Sequence, residues 1–242
     1  MPQNIYDDPN FFAGYSQFRR SREGLAGAPE WPTVRSMLPP MTGLRVLDLG
    51  CGFGAFDRWA HEMGAAQVLG IDLSEKMLAR AQAQAPSSGV AYRLGDIAQL
   101  ELPDASFDLV YSALALHYIE DLGAVLAVIR QLLASSGHLV FTVEHPIYTA
   151  PSHPGWQTDA HGEQVWPIND YLVEGKRVTD WIRPGIVKYH RSIARYVNSL
   201  LTHGFHLTRL EEWGPTQEQI VERPEMREEL HRPPFLLVAA HV

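Results

Sequence analysis

One cysteine, Cys51, among 242 residues leaves no partner for an internal disulfide, so the fold cannot depend on an oxidising compartment. No stretch of about 18 consecutive apolar residues exists, which excludes a membrane-spanning helix by the usual length criterion. Lys and Arg never form a block longer than a pair, and the formal net charge is -8, so the chain lacks the positive footprint that a nucleic acid partner requires. The opening segment MPQNIYDDPNFF has no basic region followed by an apolar run, and the expectation is a cytoplasmic protein. His153, His161, His190, His203 and His206 lack metal-ligand spacing, and no metal is expected. Internal repeats are absent as well, which excludes solenoids and propellers.

What is present is enough apolar material, 45% of side chains, to bury one full core. Short runs rich in Val, Ile and Leu (LRVLDL at 44–49, QVLGID at 67–72, FDLVYSAL at 107–114, GHLVFTVE at 137–144) alternate with stretches of helical spacing. Strands that are apolar on both parities belong in a parallel sheet covered by helices on both faces, which makes the fold class α/β. Residues 1–40, with Phe11, Phe12, Tyr15, Phe18, Arg19, Arg20 and Trp31, lie before the first strand and read as a cap of two short helices ending at Pro39 and Pro40. Residues 146–187 break the rhythm with Pro146, Pro151, Pro154, Pro167 and Pro184, interleaved with tryptophans, and read as an insertion or lid within one domain spanning 1–242. Helical spacing returns at 190–203, stopped by Gly204, and two closing strands follow near 205–213 and 234–242, joined by a surface helix.

The sharpest motif is Val46-Leu47-Asp48-Leu49-Gly50-Cys51-Gly52-Phe53-Gly54, at the end of the first strand and the start of a helix with Phe56, Trp59, Ala60 and Met63 on its apolar face. Glycines there permit positive φ and let a ligand approach the backbone. Gly50, Gly52 and Ala55 also satisfy the spacing of a dinucleotide site, so the surrounding acids must discriminate. Asp72 ends the second strand, where a carboxylate can accept from two ribose hydroxyls in either kind of site. Asp48 would repel a pyrophosphate but would attract a ligand with a cationic amino-acid tail, and Asp96 supplies an acceptor near an adenine amino group. Cys51 serves by its small size and backbone amide rather than by its thiol.

The run VLDLGCGFG, with GIDLSEKML, GDIAQLELPDASFDLVYSALALHYIED and LLASSGHLVFTVEHP, resembles class I S-adenosylmethionine-dependent methyltransferases, and within them the small-molecule branch that includes ubiquinone and menaquinone C-methyltransferases. The resemblance covers about residues 40–145 and implies S-adenosyl-L-methionine as cofactor and S-adenosyl-L-homocysteine as product. It implies that Asp48, Gly50, Cys51, Gly52 and Gly54 line the methionine end and that Asp72 takes the ribose hydroxyls. Leu73 and Met77 would pack on the adenine side, Asp96 and Ile97 would meet the adenine, and Ser112, Ala113 and Leu114 would close the pocket. The fold implied is a Rossmann-like seven-stranded sheet of order 3-2-1-4-5-7-6 whose last strand, FLLVAAHV, is antiparallel.

Methyl transfer from a sulfonium expels a neutral thioether, so no acid is needed and the remaining tasks are alignment and, for some acceptors, proton removal. His117 and His145 follow the fourth and fifth strands and are the candidate bases, each with a packing or turn-shaping role as the rival reading. Tyr15, Arg19 and Arg20 reach toward the cofactor carboxylate or an acidic substrate, or form surface salt bridges. Trp156, Trp166 and Trp181 make either an apolar pocket for the acceptor or a satellite core. A small-molecule acceptor is expected, while an NAD(P)-dependent oxidoreductase and a non-catalytic adenosylmethionine or adenosylhomocysteine sensor are the alternatives; the oligomeric state is open.

Overall fold

The computed structural model describes residues 3–86 and 88–242. Three helices come first: α1 (Pro9–Tyr15), α2 (Arg19–Glu23) and α3 (Trp31–Met37). The alternating part follows as β1 (Arg45–Leu49), α4 (Ala55–Glu62), β2 (Gln67–Asp72), α5 (Glu75–Ala83), β3 (Val90–Leu94), β4 (Phe107–Ala113), α6 (Leu122–Leu132) and β5 (Leu133–Glu144). Next come α7 (Pro146–Thr149), β6 (Gln157–Thr158), β7 (Gln164–Val165), β8 (Gly175–Trp181) and β9 (Arg183–His190). The chain closes with α8 (Ile193–Thr202), β10 (His206–Trp213), α9 (Gln217–Glu222) and β11 (Phe235–His241).

Seven strands form one sheet in the order β3-β2-β1-β4-β5-β11-β10. The first five pair in parallel, and β11 runs antiparallel to both β5 and β10. This is the topology that the resemblance implies; β6–β9 lie in two separate hairpins, so the sixth and seventh strands of the large sheet are β10 and β11. The order reverses between β1 and β4, and in open α/β sheets the crevice at such a switch point, at the carboxyl ends of the strands, is where ligands bind.

Both faces of the sheet are packed, as the double-parity apolar strands require. Leu47 and Leu49 point into a core with Leu126, Ile129, Tyr196 and Leu200 from α6 and α8, whereas Val46 joins Phe56, Ala60 and Tyr111 on the α4 side. Phe56 stacks on Tyr111 with ring centroids 3.7 Å apart. Met63 lies just beyond α4 and is exposed, so the apolar stripe of that helix ends one turn earlier than its spacing suggests.

The N-terminal forty residues hold three helices rather than two, because Pro9 and Pro32 each open a helix, where a missing backbone N–H costs nothing. Residues 146–187 contain more regular structure than their prolines suggest. Pro184 lies near the start of β9 and Ile182 takes φ 60° at the hairpin turn, a conformation that no glycine announces.

Candidate functional site

The carboxyl ends of β1, β2, β4 and β5 open into one cavity of about 1090 Å³, lined by Asp48, Asp72, Ala113 and Glu144 at those strand ends. Ligand sites usually occupy about 300–1,000 Å³, so the space is at the upper end of what one ligand site needs. Of the residues singled out from sequence, Asp48, Gly50, Cys51, Gly52, Asp72, Leu73, Met77, Asp96, Ile97, Ala113, Leu114 and His117 all form its wall. Gly54, Ser112 and His145 do not.

The loop after β1 holds Gly50, Gly52 and Gly54 at φ 81°, 54° and 69°. Their surroundings differ. A Cβ on Gly50 would lie 2.5 Å from the Ala115 Cβ, and one on Gly54 would lie 2.0 Å from the Tyr92 hydroxyl oxygen. A Cβ on Gly52 would meet nothing within 4 Å. Gly50 and Gly54 therefore exist for packing, and Gly52 alone has open space in front of its backbone, the side from which a ligand can approach. Tyr92, on β3, was invisible as a determinant in the sequence because its contact with Gly54 is made across the sheet.

Asp72 ties this loop to α5. Its Oδ2 accepts from the Gly52 N–H at 2.8 Å and its Oδ1 accepts from the Ser74 N–H at 2.9 Å. Ser74 is the cap of α5, accepting from the Met77 N–H, and Asp72 bridges the glycine loop to that cap. Asp96 caps the short turn that follows β3 by accepting from the Ala98 N–H. Leu114, on the cavity wall, sits at φ 55° just past β4, its N–H bonded to the Thr142 carbonyl; a non-glycine residue held there costs about 1–3 kcal/mol.

Asp48 is 2% exposed, and its Oδ1 has no partner among the described residues. Beside it lies Asp57 of α4, fully buried with both carboxylate oxygens unpartnered. Burial pushes both carboxyls up, Asp57 to about 7; the neighbouring Asp57 raises Asp48 further, whereas the contact with Asp48 lowers Asp57. Two buried acids without a cation are poorly satisfied. A positively charged group entering beside Asp48 would satisfy them, whereas phosphates would not.

The two histidines part company. His117 is 2% exposed and burial pushes its imidazole down to about 4, so it is neutral. Its Nδ1 accepts from the Glu144 N–H at 3.4 Å, and the residue forms part of the cavity wall. His145 lies outside the cavity: its Nδ1 accepts from the Ile147 N–H as the cap of α7, and its Nε2 is 2.8 Å from Glu212. Ser112 is likewise spent inside the sheet, donating to the Leu49 carbonyl at 2.8 Å.

Aromatic side chains close the rest of the space. Tyr6, Tyr15, Phe18 and Trp181 pack edge-on or stacked and line the cavity, with Phe18 stacked on Trp181 at 5.7 Å. Trp156 and Trp166 instead sandwich the buried Arg232 guanidinium together with Tyr148, and form a satellite cluster. Arg20 is in a largely buried pair with Glu30 at 2.7 Å, while Arg19 makes an exposed bridge to Glu23. The N-terminal segment is fastened down: Asp7 accepts from the Ser74 hydroxyl and the Lys76 N–H, Asn4 donates to the Leu73 carbonyl, and Gln3 exchanges bonds with Gly185 and Val187 of β9.

A family model for a methyltransferase domain matches residues 47–141, the stretch from β1 into β5. Covering 90% of this chain and 100% of the other, the structure matches the crystal structure of an S-adenosylmethionine-dependent methyltransferase from Mesorhizobium loti with a TM-score of 0.88 and 56% identity. The chain belongs to the S-adenosylmethionine-dependent methyltransferases. This methyltransferase is also 36% identical to an uncharacterized protein of Haemophilus influenzae over 98% of its own length and 96% of the other's. Its likeness to a malonyl-acyl-carrier-protein O-methyltransferase of Pseudescherichia vulneris, 38% identical, spans 46% of this chain and 43% of that enzyme. S-adenosylmethionine is thus the cofactor and methyl transfer the reaction class, in agreement with the fold and with a cradle that favours a cation. Among the described residues, no helix is long and apolar enough to cross a membrane and no group of three His, Cys, Asp or Glu is placed to hold a metal.

Proposed function

We propose that this methyltransferase binds S-adenosylmethionine across the glycine loop and β2, and methylates a small molecule held between the cofactor and the aromatic wall. The observation that carries the reading is the pairing of open space before Gly52 with the unpartnered buried oxygen of Asp48. Gly50, Cys51 and Gly52 would hold the amino-acid end with Asp48, Asp72 the ribose hydroxyls, and Leu73, Met77, Asp96 and Ile97 the adenine. Residues 1–40 and the 146–187 insertion would act as cap and lid over the acceptor, since Tyr6, Tyr15, Phe18 and Trp181 come from them. When bound, the cofactor supplies an electrophilic methyl group on a sulfonium; the chain supplies alignment and a water-poor chamber. The acceptor is a free small molecule met in the cytoplasm, and neither a nucleic acid nor a membrane is needed to form the site.

Calorimetric titration tests the cofactor assignment: S-adenosylmethionine and S-adenosylhomocysteine should bind and NAD should not. Binding of NAD alone would overturn it.

The Asp48–Asp57 pair gives the binding a definite pH dependence. Both carboxyls are raised in the free protein, and a neighbouring ammonium lowers them in the complex. A group whose pKa falls on binding releases a proton, so affinity for S-adenosylhomocysteine should rise as pH increases through about 7, the value to which Asp57 is pushed. Titrations in two buffers of different ionisation heat should show proton release near pH 6.5, and Asp57→Asn should flatten the profile. A pH-independent affinity between 6 and 8 would remove the ammonium from Asp48.

A further inference from the structure

The part of the chamber that lies beyond β4 contains a polar device that methyl-donor binding does not use. Glu144 ends β5, two strands from β1 and so about 10 Å from the glycine loop at the usual strand spacing. It forms part of the cavity wall. Its Oε1 accepts from the Lys188 ammonium at 2.5 Å, and Lys188, 4% exposed at its side chain, lies near the face of Trp181. The other oxygen, Oε2, is buried and has no partner among the described residues. His117, whose Nδ1 accepts from the Glu144 N–H, also lines the cavity. A buried acceptor left open is expensive unless a donor arrives to fill it.

Charge sorts the possible donors. The cavity wall carries eight carboxyl groups (Asp or Glu) against three Lys or Arg side chains; Glu30 and Glu229 are paired with Arg20 and Arg232 and Asp48, Asp72 and Asp96 belong to the proposed cofactor side, so Glu120, Asp121 and Glu144 are the acids left to the acceptor. Beside Glu120, Asp121 and the open oxygen of Glu144 a cation is favoured over an anion, and it gains again from the faces of Tyr6, Tyr15 and Trp181. We infer that the methyl acceptor is an amine, bound through an N–H donated to Glu144 Oε2, with Lys188 fixing the carboxylate. This rests on the proposed cofactor site. In the reaction, the acceptor ammonium loses one proton to solvent, and the nitrogen lone pair forms the N–C bond to the methyl carbon as the C–S bond breaks with its electrons retained on sulfur. The methylated product is again an ammonium ion.

Protein saturated with S-adenosylhomocysteine provides the test, with benzylamine, benzyl alcohol and benzoate as probes of equal shape and different charge, read by saturation-transfer NMR and thermal shift. Benzylamine should bind and benzoate should not. In Glu144→Gln, benzylamine should weaken by about tenfold or more while affinity for S-adenosylhomocysteine changes less than about twofold. The double variant Glu144→Gln/Lys188→Met, which leaves no uncompensated buried charge, should lose benzylamine in the same way. Benzoate or benzyl alcohol binding as well as benzylamine, no amine binding to the wild type, or amine affinity unmoved in both variants would each overturn the proposal. Failure to bind S-adenosylhomocysteine at all would strike the cofactor assignment instead, so the two readings fail separately.

Discussion

Gly52→Val is expected to abolish measurable binding of S-adenosylhomocysteine while leaving a folded protein. The residue holds φ 54°, so any side chain there costs about 1–2 kcal/mol, and a β-branched one sits at the upper end. That loss is a modest fraction of the usual 5–15 kcal/mol of a domain. No protein atom opposes a new Cβ, which at this position meets nothing within 4 Å. The isopropyl group therefore projects into the space where the cofactor would lie against the backbone. The neighbouring positions give the control: Gly54→Ala drives a Cβ to 2.0 Å from the Tyr92 hydroxyl oxygen and should damage folding more than binding. Calorimetry and thermal melts on the two variants should show this inversion. A Gly52→Val protein that binds normally would reduce the loop to a tight turn.

Asp72→Ala should weaken S-adenosylhomocysteine by roughly 10- to 150-fold, corresponding to about 1.5–3 kcal/mol for a charge-assisted hydrogen-bonding group. The carboxylate also accepts from the Gly52 and Ser74 amides, so affinity alone cannot separate holding the loop from holding the ligand. Ligand chemistry can. Wild-type protein should prefer adenosine to 2′,3′-dideoxyadenosine, and that preference should vanish in Asp72→Ala. A preference that survives the substitution would assign Asp72 to the loop only.

The sheet was legible in the sequence because a strand buried on both faces shows as an unbroken apolar run, and the runs at 44–49, 67–72, 107–114 and 137–144 mark four of the five parallel strands. Cavity-lining residues were legible where one short segment carries them, as with Asp48 to Gly52 or Asp72 to Met77. Distant packing was not. Gly54 owes its lack of a side chain to Tyr92, Ser112 is consumed by Leu49, and His145 is turned away by Glu212, all relations between segments far apart in the chain. The role of Glu144 was hidden for the same reason, since Lys188 lies 44 positions later in a hairpin whose prolines conceal its alternation. His117 was found by position on the cavity wall, but its contact with the Glu144 amide, 27 positions later, was not.

Asp7 serves a helix whose cap lies 67 positions further along the chain, and Gln3 grips β9 from the opposite direction. Shortening the chain by its first eight residues would therefore do more than trim a tail. It would strip α5 of an anion at its positive end, remove the Gln3 bonds to β9, and take Tyr6 out of the wall, leaving the chamber more open on that side. Fusion partners and labels belong at the other terminus.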